Sequence, residues 1–338
     1  MTKILIKALL ILLFSTIVYG QKKERIAFSS NNSPNSFLQI FIMDADGSNK
    51  KQVTNMNVNC LLPKWSPDGK SIVFQTDGEQ MYVIKNIDST EGEPYYLFAG
   101  SNPEYSNDGQ FIIFNSDYQG YLTIYFMELT DIEPQSFELN GYANQQVLSK
   151  DDTKLVFSMF ASGSKSIFMM DLDPENEDDD NIFQISVNDN SNLEPDISID
   201  GEMFVYASFN QELKGTICIY KDDKETALTK GSSWTKPKFS PDNTKIACLN
   251  ITDEDNVKLY VMDLTGSNKK ELKVTGGAVG TYHWVDDENI IYDAETGSQS
   301  TVGIVNINSG KVTVLTNKGI NIHPSYYNPK NYIETETK

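Results

Sequence analysis

The stretch Pro63–Phe74, PKWSPDGKSIVF, joins an initial proline, an aromatic residue, a Ser-Pro-Asp-Gly turn and an apolar run. Pro67 fixes its own φ, Asp68 can accept hydrogen bonds from nearby backbone N–H groups, and Gly69 takes a positive φ at little steric cost. The pattern therefore predicts two short strands joined by a tight turn. Taken alone, it predicts only a hairpin.

Altered copies of this motif recur along the chain, and their starts lie about 40 to 49 residues apart, a spacing typical of propeller blades. The copies span 103–114, 146–157, 195–206, 237–248 and 282–292, and a shortened copy begins at Pro324. Two further strand-like runs follow each full copy; after Pro103, for example, the fourth strand is predicted at Phe137–Leu139. The sequence therefore predicts an all-β fold, a β-propeller of four-stranded antiparallel blades.

A second self-match supports the same period. Met43–Lys51 (MDADGSNKK) matches Met262–Lys270 (MDLTGSNKK), and the two stretches start 219 residues apart, as do Trp65 and Trp284. Five blades of about 44 residues would give this offset. The repeated Asp-Gly pattern is interpreted as the turn between the third and fourth strands rather than as a calcium loop, because no glutamate follows at the spacing of an EF-hand.

The two ends of the chain predict how the ring closes. Arg25–Asn55 supplies three strands of a blade with no first strand, and Ser325–Asn328 looks like a first strand with nothing after it. Together they make one blade, so pairing the terminal strands would remove the exposed sheet edges. We expect seven blades, with six as the alternative, in one propeller domain over residues 21–330, followed by a tail at 331–338.

Residues 1–20 have the pattern of a secretory signal peptide: lysines, the apolar run Ile4–Val18, and a small residue before Gln21. A membrane anchor is disfavoured because the run is shorter than the roughly 20 residues that span a bilayer. We therefore expect an exported protein, periplasmic or extracellular, without stable membrane insertion.

The formal net charge of −19 disfavours nucleic acid and anionic membranes as partners. It permits a cationic ligand, a basic protein face or a divalent cation. The acidic run Asp173–Asn181 is interpreted as a solvated loop, with a Ca²⁺ site as the alternative. Of three cysteines, Cys218 and Cys248 lie in apolar runs and are expected to be buried, and no disulfide is indicated.

The repeats resemble the TolB-type propeller family, whose blades read roughly P-x-W-S-P-D-G followed by I-Y-x-M-D-x-D-G. Pro63–Gly69 and Ile40–Gly47 carry the resemblance most closely. Similar blades occur in periplasmic TolB, in dipeptidyl-peptidase-type propellers and in oligogalacturonate lyases. The resemblance does not extend to the separate N-terminal α/β domain of TolB or to a hydrolase domain. It implies the fold and leaves two functions open, a binding module and a metal-assisted carbohydrate-active enzyme.

The residue types favour binding over hydrolysis. There is no G-x-S-x-G elbow, and Ser66, Ser106 and Ser240 are interpreted as turn formers, so no catalytic residue is assigned. The lyase alternative would use the only two histidines, His283 and His323, as metal ligands, with Gln145 or Glu194 completing the set. The leading prediction remains a non-enzymatic module that needs no cofactor.

The predicted binding site is a ring at the channel mouth, formed by the first residues of the innermost strands. It holds Lys64, Glu104, Asp196, Lys238, His283 and Ser325, flanked by Asn102, Gln145, Glu194, Lys236 and His323. The mixture of charges, amides and imidazole suits a protein, a peptide or a glycan. The motif aromatics are expected to form core between blades instead: Trp65, Tyr105, Phe239, Trp284 and Tyr326. The sequence indicates no oligomeric state.

Overall fold

The computed structural model describes residues 23–89, 92–130, 133–139, 141–161, 163–172, 181–253 and 255–331. Within these ranges the chain forms seven four-stranded sheets, which are the blades of a β-propeller. Every neighbouring strand pair is antiparallel, as in β4 with β5 and β5 with β6. The prediction of seven four-stranded antiparallel blades is confirmed.

Blade 1 combines the two ends of the chain, and the other six blades each use four consecutive strands. Its strands, from the channel outward, are β28 (Asn321–Tyr327), β1 (Arg25–Ser30), β2 (Gln39–Asp44) and β3 (Lys51–Gln52). Blade 2 contains β4 (Cys60–Trp65), β5 (Ile72–Thr76), β6 (Gln80–Ile84) and β7 (Tyr95–Ala99). Blade 3 contains β8 (Ser101–Tyr105), β9 (Phe111–Ser116), β10 (Thr123–Glu128) and β11 (Gln135–Ser136). Blade 4 contains β12 (Ala143–Leu148), β13 (Lys154–Ala161), β14 (Ser164–Asp171) and β15 (Ile182–Gln184). Blade 5 contains β16 (Ser191–Ile197), β17 (Phe204–Phe209), β18 (Gly215–Lys221) and β19 (Lys224–Ala227). Blade 6 contains β20 (Ser233–Phe239), β21 (Lys245–Asp253), β22 (Asn256–Asp263) and β23 (Lys270–Leu272). Blade 7 contains β24 (Ala278–Trp284), β25 (Asn289–Thr296), β26 (Gln299–Asn306) and β27 (Val312–Val314). A 3₁₀ turn at Pro329–Asn331 follows β28.

The ring closes by pairing the terminal strands, as predicted. β28 lies antiparallel to β1, with Arg25 opposite Tyr327 and Ser30 opposite Asn321. The closing strand is longer than predicted, since it begins at Asn321 rather than at Ser325. The fourth strand of blade 3 was also misplaced: it is β11 at Gln135–Ser136, two residues before the predicted Phe137–Leu139.

Seven apolar clusters lie between neighbouring blades and hold the ring together. The second strand of each blade supplies consecutive buried residues; all five residues of β5 are buried, for example. A strand covered on both faces favours such a continuous apolar run over alternation. One cluster packs Phe74 of blade 2 against Ile40 and Tyr327 of blade 1.

The aromatic residues of the repeated motif belong to these contacts between blades. The ring of Trp65 lies 5.7 Å from that of Tyr327, and its indole N–H donates to the Ser325 carbonyl at 3.2 Å. Trp284 makes the same bond to Lys238. The expectation that these aromatics pack between blades is therefore confirmed for both tryptophans.

The serine and aspartate of the opening motif hold its turn. The Ser66 hydroxyl donates to Asp68 at 2.7 Å and accepts the N–H of Ser71 at 2.9 Å. Equivalent Ser–Asp bonds occur in four further blades, at Ser106, Ser149, Ser198 and Ser240. The Asp44 and Asp263 turns are also matched, each bonded to an asparagine five residues later. These residues are scaffold, as the sequence indicates.

Three further predictions concern the rest of the chain. Cys60, Cys218 and Cys248 are buried and form no disulfide. The predicted signal peptide and nearly all of the acidic run at 173–181 lie outside the described residues. No helix among the described residues is long and apolar enough to cross a membrane.

Candidate functional site

Six of the seven innermost strands share an unusual backbone feature where they border the channel. Each contains a bulge, and at the bulge a non-glycine residue adopts a left-handed φ between 48° and 58°; these residues are Leu62, Asn102, Gln145, Glu194, Lys236 and His323. Such a conformation costs most residues about 1–2 kcal/mol, although asparagine tolerates it better. The chain thus repeats one strained backbone shape around the channel and places a different side chain at each copy.

These six residues surround a cavity of about 480 Å³, which we call the upper cavity. It opens on the upper face, the face that carries the links between blades and the turns between second and third strands. Asn144, Gln146 and Thr281 also line it. Amide side chains of blades 3 and 4 form one wall, and charged or imidazole side chains of blades 5, 6, 7 and 1 form the opposite wall.

A throat separates the upper cavity from a second one of about 310 Å³, which opens on the lower face, beside the turns between first and second strands. Lys64, Glu104 and His283 border both cavities. Lys64 and Glu104 face each other across a 3.8 Å ion pair, and their side chains remain 29% and 45% exposed. Charged groups that keep this much contact with solvent are available to a ligand.

The structure brings together most of the predicted ring, at a different depth from that expected. Lys64, Glu104, Lys238, His283 and His323 line the upper cavity, whereas Ser325 lines only the lower one. The predicted positions are not the first residues of the inner strands, because each strand begins before its bulge; β4 starts at Cys60. Three residues of the predicted ring, Lys64, Glu104 and His283, therefore mark the throat, and the residues predicted to flank the ring form the mouth.

Asp196, the remaining residue of the predicted ring, is not among the lining residues of either cavity. Its carboxylate lies 2.9 Å from the Lys238 ammonium and accepts the N–H of Phe239 at 2.8 Å. Burial alone would lower the pKa of Lys238, but the Asp196 carboxylate, with Glu104 and Glu194, raises it overall. Lys238 therefore stays charged, and Asp196 acts by fixing it against the wall between blades 5 and 6.

The two histidines are neutral groups of the upper cavity. Burial lowers the pKa of His323 to about 4, and the charges of Lys236 and Lys64 act in the same direction. Burial, followed by Lys64 and Lys238, holds the pKa of His283 well below its usual range. A neutral imidazole has one donor and one acceptor nitrogen. The histidines therefore offer hydrogen bonds to a ligand at neutral pH and add no charge.

Carboxylate and amide groups fix the bulges from the neighbouring blade. Glu194 accepts the N–H of Lys236 at 2.8 Å, and the Gln145 side chain accepts the N–H of Glu194 at 3.0 Å. Asp293, 3% exposed, accepts the N–H of His323 at 3.1 Å and the hydroxyl of Thr281. These bonds give the cavity wall a fixed shape, which lowers the entropy lost when a ligand binds.

The two histidines predicted as metal ligands, His283 and His323, have no third metal-binding side chain placed with them among the described residues. Among the described residues, no group of three or more His, Cys, Asp or Glu is placed to hold a metal ion. Glu194, suggested as a third ligand, instead bonds to Thr235 and to the backbone of Lys236. His283 and His323 both line the upper cavity, where they would supply two imidazole donors to a metal ion.

Sequence reasoning missed Asp293, Asn144, Gln146 and Thr281. Asn144 and Gln146 adjoin the predicted Gln145, so a bulge assigned at that position would have included them. Asp293 lies on β25, the second strand of blade 7, in a run that reads as buried core. No local signal distinguishes it.

Comparison with known proteins gives a family and a fold. The sequence profile of the TolB beta propeller domain matches residues 16–285. The Tol-Pal system protein TolB of Wolbachia pipientis subsp. Culex pipiens (strain wPip) is 36% identical over 76 residues. That match covers 22% of this chain and only 18% of the relative.

Two solved structures show the same architecture. TolB from Acinetobacter baumannii superposes with a TM-score of 0.54 at 19% identity, covering 89% of this chain and 66% of that one. The propeller domain of the Trilobed protease from Pyrococcus furiosus gives a TM-score of 0.63 at 15% identity, covering 93% and 95%. That propeller is described as having an open velcro topology, whereas here β28 and β1 join the ends. At these identities the likeness concerns the fold alone.

Proposed function

This chain belongs to the TolB beta-propeller family, and we propose that it is an exported, non-enzymatic binding module that holds a segment of a protein partner in the upper cavity. The observation that carries the proposal is the ring of left-handed bulges. One backbone shape recurs at six blades, and its side chain is apolar, amide, acidic, basic or imidazole according to the blade. An asymmetric wall on a symmetric scaffold suits an asymmetric ligand.

The composition of the wall favours a peptide segment as that ligand. Amides on one side match the N–H and C=O groups of an extended backbone, since an amide both donates and accepts. Lys236 and Lys64, with Glu104, lie where charged side chains of the segment would pass. The curated relatives are named Tol-Pal system proteins, which is consistent with a protein partner. Export is supported by the pattern of residues 1–20.

Site-specific photo-crosslinking tests the proposal. A benzophenone amino acid replaces Lys236, which is exposed at the cavity, and in a control it replaces Thr313 on the outer strand β27. The variants are irradiated in cells that export them, and adducts are identified by mass spectrometry. We expect a discrete protein adduct from position 236 and none from position 313. The same adducts at both positions, or an adduct at 313 alone, would contradict the proposal.

The metal-assisted carbohydrate enzyme is the second candidate, and the sharing of one cavity by two neutral histidines is the observation that favours it. Neutral imidazole is the form that binds metals. Elemental analysis of the purified protein, repeated on the His283→Ala variant, separates the candidates. A stoichiometric transition metal that is lost in the variant would favour the enzyme, and its absence from both proteins would favour the binding module.

A further inference from the structure

Two pairs of aromatic rings and a fifth ring next to them in the backbone lie on the upper face of blades 2 to 4. We call this group the aromatic rim: Phe98, Tyr118, Tyr121, Tyr142 and Phe160. The rings of Phe98 and Tyr118 lie 5.1 Å apart, and those of Tyr121 and Tyr142 lie 6.2 Å apart, both edge to face. Phe160 adjoins Tyr142 through a backbone hydrogen bond of 3.0 Å. Tyr118 and Tyr121 share one hairpin, which connects the two halves.

The rim exposes more aromatic surface than packing requires. Tyr118 is 68% exposed, Tyr142 59% and Phe160 50%. Scattered apolar residues are normal on a protein surface, but a contiguous patch is typical of an interaction site. These rings lie outside the repeated motif. Phe98 also packs against the apolar cluster between blades 2 and 3, whereas Tyr118, Tyr142 and Phe160 keep half or more of their surface exposed.

The charges around the rim are mainly negative. The described residues of the segments that carry or adjoin it, 77–79, 117–121, 137–139, 141–142, 160–161 and 163–165, contain four carboxylates (Asp77, Glu79, Asp117 and Glu138) and one lysine, Lys165. The Lys165 ammonium donates to the neutral Asn144 amide at 3.3 Å and keeps its charge, but the carboxylates outnumber it. The formal charge of the whole chain, −19, has the same sign. The face is therefore complementary to a cation.

The rim continues into the upper cavity. Tyr142 precedes β12, whose Asn144, Gln145 and Gln146 form the amide wall. Gln146 is 6% exposed, and its side-chain oxygen has no hydrogen-bond partner among the described residues. A buried acceptor without a partner is costly unless a donor reaches it. A peptide N–H in the cavity would supply that donor.

From these observations we propose that the rim binds basic side chains of a peptide segment whose end occupies the upper cavity, an inference that rests on the proposed function. Arginine and lysine fit because tyrosine faces attract cations and the neighbouring carboxylates pair with them. The protein already uses this contact internally. The Arg25 guanidinium lies 4.6 Å from the ring centre of Trp65, and the Lys269 ammonium lies 4.5 Å from that of Trp234.

Fluorescence anisotropy on the purified protein tests the inference with defined probes. The probes are fluorescein-labelled (Arg-Gly)₄, (Glu-Gly)₄ and (Ser-Gly)₄ amides, and an N-acetylglucosamine hexasaccharide serves for the glycan alternative. We expect the arginine peptide to bind at least about tenfold more tightly than the other probes. The Tyr118→Ser, Tyr142→Ser double variant should weaken it about fivefold or more, from the loss of two cation–π contacts. The control Tyr95→Ser, at a tyrosine 53% exposed on β7, should leave the Kd unchanged.

Three results would overturn the inference: equal binding of the glutamate peptide, no effect of the double tyrosine variant, or binding of the saccharide alone. A cavity variant separates this inference from the proposed function. If Asn144→Trp abolishes capture of the crosslinked partner while the rim variant leaves capture unchanged, the inference fails and the proposed function stands. If the rim variant weakens the arginine peptide while Asn144→Trp leaves capture intact, the proposed function fails and the rim remains a site for basic peptides.

Discussion

Asp293 is a buried residue whose single carboxylate holds two strands of the cavity wall together. Its carboxylate joins blade 7 to the closing strand of blade 1, because one oxygen accepts both the Thr281 hydroxyl and the His323 N–H. Burial raises the pKa of Asp293 to about 6, against the lowering effect of these hydrogen bonds. The ionised form is therefore disfavoured in the folded state even though its hydrogen bonds are made.

Asp293→Asn is expected to stabilise the protein at alkaline pH. The folded-state pKa lies above the unfolded value of 3.8, so the stability that protonation contributes is lost as pH rises through about 6. Asparagine keeps the accepting oxygen and removes the charge. Urea unfolding should show the variant more stable than wild type at pH 8, by up to about 3 kcal/mol for a shift of about two units. The gain should shrink toward pH 4.

The exposed Asp222→Asn is the control for this measurement, and its effect should not depend on pH in the same way. A constant difference between Asp293→Asn and wild type from pH 4 to pH 8 would show that charge is not the cause. A variant less stable than wild type at pH 8 would show that the ionised carboxylate is needed.

At the scale of elements, the Ser-Pro-Asp-Gly turn also has a role between blades. Gly69 has φ +69°, and a Cβ there would lie 2.3 Å from the ring of Tyr327 on the closing strand. The Tyr327 hydroxyl donates to the carbonyl of Asp68 at 3.2 Å. The Arg25 side chain donates to the carbonyl of Gly69 as well. This turn of blade 2 therefore binds both strands that close the ring in blade 1, β28 through Tyr327 and β1 through Arg25.

Gly69→Ala is expected to cost more stability than Gly310→Ala. Both glycines have nearly the same φ, +69° and +71°, but a Cβ at Gly310 would meet nothing within 4 Å. Each variant bears the left-handed strain of about 1–2 kcal/mol, and only Gly69→Ala also displaces Tyr327. Thermal or urea unfolding should rank wild type above Gly310→Ala and Gly310→Ala above Gly69→Ala. Equal losses would mean that the turn does not brace the closing strand.

The same element shows what sequence can and cannot reveal. The turn and the apolar second strand follow from residue type and local spacing, so PKWSPDGKSIVF predicts them directly. The bulge does not follow, because Leu62 has no local reason to adopt a positive φ and only the pairing of β4 with β5 imposes it. The missed bulge explains why Lys64 was expected at the mouth and lies in the throat. The partners of Asp293 depend on contacts between blades, to which a single strand gives no clue.

At the scale of the whole molecule, seven similar blades enclose one asymmetric cavity. The repeat supplies the core and the turns, whereas the departures from it supply the amide wall, the charged wall and the aromatic rim. Closure of the ring by β28 places His323 in the same wall as Lys236 and His283, although His323 comes from the end of the chain. The cavity as a whole therefore requires the closed ring.

The affinity of the crosslinked partner for a variant with an obstructed cavity tests the central claim most directly. Asn144→Trp places a large side chain in the upper cavity, and Thr313→Trp places the same side chain on the outer strand β27. The Kd of the purified partner should rise at least about tenfold for Asn144→Trp, a loss of about 1.4 kcal/mol, and should stay at the wild-type value for Thr313→Trp. Unchanged affinity in a folded Asn144→Trp variant would contradict the assignment of the upper cavity as the binding site.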